Sequence, residues 1–200
     1  AHLEGFGNIE GVTQAKSELY KYLKKNNGHI FVNYNDRKLL ELASGLNQTL
    51  YGKKYSIYDA QNIFTNIKYK EKIISSKLIG EYQSNNIMLA ITVGEYFNIP
   101  LKNIQSAISN YTPSNNRSQI INTRYNTLIL DAYNANPSSM EAILSTFSLQ
   151  KEKNKICILG DMLELGKTSK ENHTKIVMLA RKLEIESIFV GKEFYSVNTN

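Results

Sequence analysis

From residue 127 to residue 190, short apolar runs with room only for strands alternate with longer stretches whose apolar residues recur at helical spacing. The strand candidates are 127–130, 156–159 and 187–190. Between them, Pro137 opens a helix bearing Met140, Ile143, Leu144 and Phe147 on one side, and residues 170–184 supply a second helix. Parallel strands need such crossovers and hairpins do not, so the alternation predicts an α/β fold with a parallel sheet. A further strand over 119–122 is expected to face 127–130 across a turn at Tyr125-Asn126.

The first half is patterned differently. Asn8, followed by Glu10 and then by Val12, Ala15, Leu19 and Leu23, combines cap chemistry with helical spacing over 9–25, and Asn27-Gly28 ends that helix. A short strand at 30–32 precedes a helix that Asp36 can cap, with Leu39, Leu40 and Ala43 on one side. Over 50–79, Tyr, Ile and Lys alternate through Ile67, Tyr69, Ile73 and Leu78, which predicts two or three short antiparallel strands. Helical spacing returns from Asn86 through Ile87, Ala90, Ile91, Gly94 and Phe97, stops before Pro100, and resumes with Leu101, Ile104, Ala107 and Ile108. Residues 111–116 read as a linker, so the chain is expected to divide into units 1–113 and 117–200.

Composition narrows the function classes. Two hundred residues with 42% hydrophobic content can bury one substantial core or two modest ones. The single cysteine, Cys157, lies within an apolar run, which points to a buried thiol in a reducing compartment and predicts a cytoplasmic protein without disulfides. No apolar stretch approaches the roughly 18 residues of a membrane span, so no membrane insertion is expected. The net charge of +6 is scattered, and Arg37, Arg117, Arg124 and Arg181 are dispersed rather than gathered into a phosphate-tracking stripe. Nucleic acid is therefore not the expected partner, whereas an anionic nucleotide would still be drawn by the positive field. The chain opens at Ala1-His2 and ends just after a strand-like run, so both ends are expected to be cut from a longer protein, one that acts as a monomer.

Several stretches could carry chemistry. His2-Leu3-Glu4-Gly5-Phe6-Gly7 is followed, fourteen positions after His2, by Lys16; taken alone, such a histidine is more often structural and such a lysine solvated. In Gly80-Glu81-Tyr82-Gln83-Ser84-Asn85-Asn86, the amides of Gln83 and Asn86 each offer donor and acceptor together, which suits an adenine edge; a polar turn before a helix is the plainer alternative. Leu130-Asp131-Ala132-Tyr133-Asn134-Ala135-Asn136-Pro137 runs from strand through polar loop to a proline-started helix, the place where α/β folds bind ligands, although a turn with an N-cap would look the same. In Gly160-Asp161-Met162-Leu163-Glu164-Leu165-Gly166, Asp161 can be a substrate contact or a helix cap. His173 shares a face with Ile176, Val177 and Ala180 and can be packed or functional.

Taken in order, these stretches resemble the Mur ligases, and among them the branch that uses D-alanyl-D-alanine. The resemblance implies the end of a central ATPase domain followed by the start of a Rossmann-like C-terminal domain. It also implies ATP and Mg²⁺ as cofactors, with UDP-N-acetylmuramoyl-tripeptide and D-alanyl-D-alanine as substrates. By the same resemblance His2 and Lys16 belong to the metal site. Lys16 would be carbamylated, because a protonated amine repels a hard cation and a carbamate oxygen attracts it. Gln83 and Asn86 would contact adenine, with Gln83 standing where the family has asparagine. Arg117 would reach the nucleotide phosphates, Asp131 the ribose, and the loop bearing Asn134 and Asn136 the reaction centre. The strand and loop over 158–166 would wall the dipeptide site.

No G-x-x-x-x-G-K-[ST] phosphate loop occurs in the 200 residues, so the chain by itself is expected to be inactive. Other Mur-type ligases, folylpolyglutamate synthetase and a non-catalytic binding fragment are the rival readings.

Overall fold

The computed structural model describes residues 3–59, 62–114, 116–152 and 154–198. A short helix α1 (Leu3–Phe6) leads into α2 (Ile9–Lys25), whose first turn is capped as its sequence requires: the Asn8 side chain accepts from the Gly11 amide at 2.8 Å. Strand β1 (His29–Asn33), helix α3 (Arg37–Leu42) and strand β2 (Asn47–Tyr51) then form a β-α-β unit with β1 and β2 parallel. Asp36 caps α3 by accepting from Leu39 N at 3.0 Å.

Strand β2 is a departure from expectation. The sequence places only antiparallel strands in 50–79, but β2 begins earlier and runs parallel to β1, with His29 opposite Asn47 and Val32 opposite Leu50. The polar Asn47-Gln48-Thr49 carries no alternation to announce it; the crossover through α3 sets its direction. Strands β3 (Tyr55–Tyr58), β4 (Asn66–Tyr69) and β5 (Lys72–Ile74) follow as the expected antiparallel sheet, in the order β3-β4-β5. Helix α4 (Gln83–Tyr96) starts one turn before Asn86, and α5 (Leu101–Asn110) packs against it. Gly94 makes that approach possible: a Cβ there would lie 2.7 Å from Ile104 Cδ1.

Beyond 111–114, β6 (Gln119–Asn122) and β7 (Thr127–Leu130) pair as an antiparallel hairpin. Helix α6 (Pro137–Ser148) opens on the predicted proline, with Asn136 as its cap. Strand β8 (Ile156–Gly160), helix α7 (Ser169–Lys182) and strand β9 (Glu186–Val190) form a second parallel β-α-β unit, and α8 (Lys192–Val197) closes the described chain. Among the described residues the strands form four small sheets rather than one continuous parallel sheet: β7 joins β6, and β8 joins β9.

Apolar burial follows the same segmentation. One cluster contains Ile30, Val32 and Ala43; a second gathers Ile67, Ile74, Ile87, Met88, Ile91 and Ile104 under α4 and α5; a third surrounds Leu144, Met162, Ile176 and Phe194. Each comes from one continuous stretch of chain, and burial of each large side chain contributes about 1.5–3 kcal/mol. No helix among the described residues is long and apolar enough to cross a membrane.

Candidate functional site

Two segments far apart in sequence meet at one polar cluster. The first is the turn 79–83 leading into α4; the second comprises Ser118, just before β6, and Asp131, just after β7. Gln83 and Asn86 stand three residues apart on the first turn of α4 and so lie side by side. Asn86 Nδ2 donates to Gln83 Oε1 at 2.7 Å, and Gln83 Nε2 donates to Ser118 Oγ at 3.3 Å. The Asp131 carboxylate accepts from Ser118 N at 3.0 Å through Oδ1 and from the Tyr82 hydroxyl at 3.4 Å through Oδ2. Ser118 Oγ in turn donates toward Ile79 O at 3.5 Å.

The backbone is bent to make these contacts. Ser118 is 1% exposed and holds φ at +50°, a left-handed conformation that few non-glycine residues adopt. Gly80 takes φ +92°, and a Cβ there would stand 2.6 Å from Tyr82 Cε1, so glycine lets the tyrosine ring fold over the turn. Burial, with Asp131 nearby, raises the Tyr82 pKa above its ordinary value; hydrogen bonds from Ser118 and Gln83 offset part of this. The phenol is therefore a neutral donor at physiological pH.

The other predicted site residues are not among these contacts. Arg117 is exposed, and its guanidinium carbon stands 3.7 Å from the centre of the Tyr133 ring. Asn134 is exposed in the loop after β7. Asn136 is engaged in capping: its Oδ1 accepts from Ser139 N at 3.0 Å and from Ser138 Oγ at 2.8 Å, completing a capping box with Ser139. Lys16 is exposed on α2, and His2 lies outside the described residues. Among the described residues no group of three His, Cys, Asp or Glu side chains is arranged to hold a metal ion. The described donor set thus does not itself fit magnesium.

Asp161 and His173, both ambiguous in sequence, have structural employment. Asp161 accepts from Glu193 N at 3.0 Å and Phe194 N at 2.9 Å, which caps α8 and favours its positive end. His173 is fully buried; Nε2 accepts from Met162 N at 3.0 Å, so Nδ1 carries the proton and donates to Ser169 O at 2.8 Å. Ser169 donates its hydroxyl to Glu193, which leaves no serine–histidine nucleophile here. A cleft of about 250 Å³ adjoins this cluster at Tyr82, between the β3–β4 region and α6, and is lined by Ile57, Phe64, Tyr82, Thr146 and Leu149 among others. Gln83, Asn86, Arg117 and Asp131 do not line it. The polar cluster is the candidate for nucleotide recognition, because it brings together Gln83, Asn86 and Asp131, whose amide and carboxylate groups suit a base edge and a sugar hydroxyl.

Comparison with known proteins gives a consistent picture. The profile of the Mur ligase middle domain matches residues 1–94, and that of the Mur ligase glutamate ligase domain matches 116–195. The UDP-N-acetylmuramoyl-tripeptide–D-alanyl-D-alanine ligase of Bacillus subtilis is 30% identical over 200 residues, covering 94% of this chain and 43% of the relative. The enzyme of the same name from Buchnera aphidicola subsp. Baizongia pistaciae is 34% identical over 207 residues, covering 96% and 45%. The chain thus spans somewhat under half the length of the curated relatives it matches. Among solved structures, MurF from Acinetobacter baumannii superposes with a TM-score of 0.75 at 25% identity, over 98% of this chain and 45% of that one. MurF from Thermotoga maritima, solved with ADP, gives 0.78 at 20% identity over 98% and 48%, a likeness of fold.

Proposed function

Because this chain belongs to the Mur ligase family, we propose that it forms part of an ATP-dependent ligase joining D-alanyl-D-alanine to UDP-N-acetylmuramoyl-tripeptide, the reaction for which its Bacillus and Buchnera relatives are named. The observation that carries this reading at the level of the site is the polar cluster. Tyr82 and Gln83 reach Ser118 and Asp131 across 35 to 49 residues of sequence, and these include the positions that the family resemblance directs at adenine and ribose.

In this reading the chain contains two domains, 1–113 and 117–200, whose contact forms the nucleotide site. The Gln83 and Asn86 amides meet adenine, exchanging their present mutual hydrogen bond for contacts to the base. Asp131 accepts from the ribose, and Arg117 leaves the Tyr133 ring to reach phosphate, where a guanidinium binds best as a fork. A tripeptide carboxylate oxygen attacks the γ-phosphorus and ADP departs. The dipeptide amine then attacks the acyl phosphate carbon, losing a proton, and inorganic phosphate leaves. Positive groups facing the transferring phosphoryl stabilise its spreading charge. Asn134 faces the reaction centre from its loop, Asn136 shapes that loop by capping α6, and Lys16 contributes as a carbamate. The intact protein acts in the cytoplasm as a monomer, with magnesium and ATP supplied from solution.

The test is ligation by the intact protein, with ATP, magnesium, UDP-N-acetylmuramoyl-tripeptide and one candidate amine at a time. Pentapeptide nucleotide should form with D-alanyl-D-alanine and not with glutamate or single alanines. Preferential use of a single amino acid would assign the chain to a different ligase of the family.

A further inference from the structure

The Asp131 carboxylate is held by two donors that reach it from opposite parts of the chain. Ser118 N approaches Oδ1 from the strand pair to which Asp131 itself belongs, and the Tyr82 hydroxyl approaches Oδ2 from the turn before α4. The protons can be arranged to serve the carboxylate: Gln83 Nε2 donates to Ser118 Oγ, the single Ser118 hydroxyl proton goes to Ile79 O or to the Tyr82 oxygen, and in both cases the neutral Tyr82 hydroxyl is free to donate to Asp131. Each carboxylate oxygen has two lone-pair directions, so one on each remains for a ligand hydroxyl. Two unusual backbone conformations accompany these contacts. Gly80 makes room for the Tyr82 ring, and left-handed Ser118 turns its N–H onto the carboxylate. A polar turn making only incidental contacts needs neither.

We propose that Tyr82 is a positioning residue for Asp131: its hydroxyl, carried by the segment that bears the adenine-directed amides, fixes the carboxylate in the orientation that receives the nucleotide sugar. The proposal rests on the assignment of Asp131 to the ribose. Base recognition and sugar recognition then become mechanically linked, because the turn that places Gln83 also places Tyr82. Asp131 presents an ordered carboxylate only while the turn 79–83 is docked against Ser118. With Tyr82 removed from the carboxylate, Oδ2 can rotate about the Cβ–Cγ bond and the ribose hydroxyl meets a poorly oriented acceptor.

The experiment uses the intact ligase and compares ATP with 2′-deoxy-ATP and 3′-deoxy-ATP, reading KM and kcat for each. Tyr82→Phe keeps the ring and removes only the hydroxyl. It should raise KM for ATP about three- to tenfold, the effect of one modest hydrogen bond, with kcat within about twofold. It should leave KM unchanged for whichever deoxynucleotide lacks the recognised hydroxyl, so that sugar discrimination falls. Asp131→Ala should abolish the discrimination, and adding Tyr82→Phe to it should change nothing further. Ser118→Gly keeps both the N–H and the left-handed backbone, and should retain discrimination.

If Asp131→Ala removes sugar discrimination and Tyr82→Phe leaves it at the wild-type ratio, the positioning role is wrong while the ribose assignment stands. If Tyr82→Phe weakens all three nucleotides equally, Tyr82 is a structural tyrosine and the proposal is likewise overturned. If Asp131→Ala itself discriminates like the wild type, the ribose assignment and the proposal fail together.

Discussion

Asp161 should act through α8, and removing it should release that helix. Its two oxygens accept from the Glu193 and Phe194 amides at 3.0 and 2.9 Å, two of the N–H groups that the first turn cannot satisfy internally. Loss of an N-cap costs about 1–2 kcal/mol, and leaving a second, partly buried donor without its acceptor adds about 1 kcal/mol. Asp161→Ala should therefore lower the local opening free energy of 192–197 by about 2–3 kcal/mol, which is about 30- to 150-fold faster amide exchange. Hydrogen exchange read by mass spectrometry on that peptide is the assay, with a peptide from α4 as the internal control. Gly191→Ala should reach the same end by another route. Gly191 holds φ +120°, and a Cβ there would sit 2.2 Å from the Asp161 carboxylate, pushing it off the helix. Phe194, fully buried in the third core, links α8 to the rest of that unit, so its neighbours should also lose protection. An increase below about threefold for both variants would refute the capping account and return Asp161 to the pool of substrate contacts.

Other outcomes follow from the same geometry. Gly94→Ala should lower stability by about 1–3 kcal/mol, because its methyl would meet Ile104 Cδ1 at 2.7 Å; urea denaturation of the intact protein checks it, and an unchanged midpoint would contradict the packing. The Cys157 thiol is pushed up to about 11 by burial, only partly offset by Lys155. Thiolate is the nucleophile, so at pH 8 about 0.1% is reactive and alkylation should be far slower than for a free thiol, speeding up about tenfold per pH unit until near 11. Asn136→Ser keeps an acceptor for the α6 cap and should leave stability within about 0.5 kcal/mol, whereas Asn136→Ala should cost about 1 kcal/mol by thermal denaturation. Lys16→Arg retains charge but cannot form a carbamate, and should abolish most turnover of the intact ligase; near-normal turnover would make Lys16 an ordinary surface lysine.

What the sequence made legible was local. The Asn8 and Asp36 caps, the Pro137 start and the 3.6-residue stripes of α2, α5 and α7 each depend on neighbours within a few positions, and each element appears where expected. Strand β2 was hidden because its residues are polar and its partner is set by a crossover rather than by alternation. The start of α4 at Gln83 was missed because no acceptor side chain caps it; the turn Gln83 N to Gly80 O at 2.9 Å begins it instead.

At the site, the resemblance singled out Gln83 and Asp131, but Tyr82 and Ser118 carried no signal of their own. Their contacts span 36 and 49 residues, and a left-handed serine has no composition signature; the Gly80 two positions before Tyr82 was the only local hint. His173 could not be resolved by periodicity, since a buried histidine satisfied by Met162 N and Ser169 O has the same spacing as a functional one.

Oxygen-18 in the terminal carboxylate of UDP-N-acetylmuramoyl-tripeptide distinguishes the proposed acyl-phosphate route from any other path to the peptide bond. The intact protein is given the labelled nucleotide, ATP, magnesium and D-alanyl-D-alanine, and the released phosphate is analysed by mass spectrometry. Attack of a carboxylate oxygen on the γ-phosphorus, followed by attack of the amine on carbon, carries one labelled oxygen into each phosphate, matched one to one with pentapeptide and ADP. Unlabelled phosphate accompanying pentapeptide formation, or hydrolysis of ATP with no peptide product at all, would contradict the account.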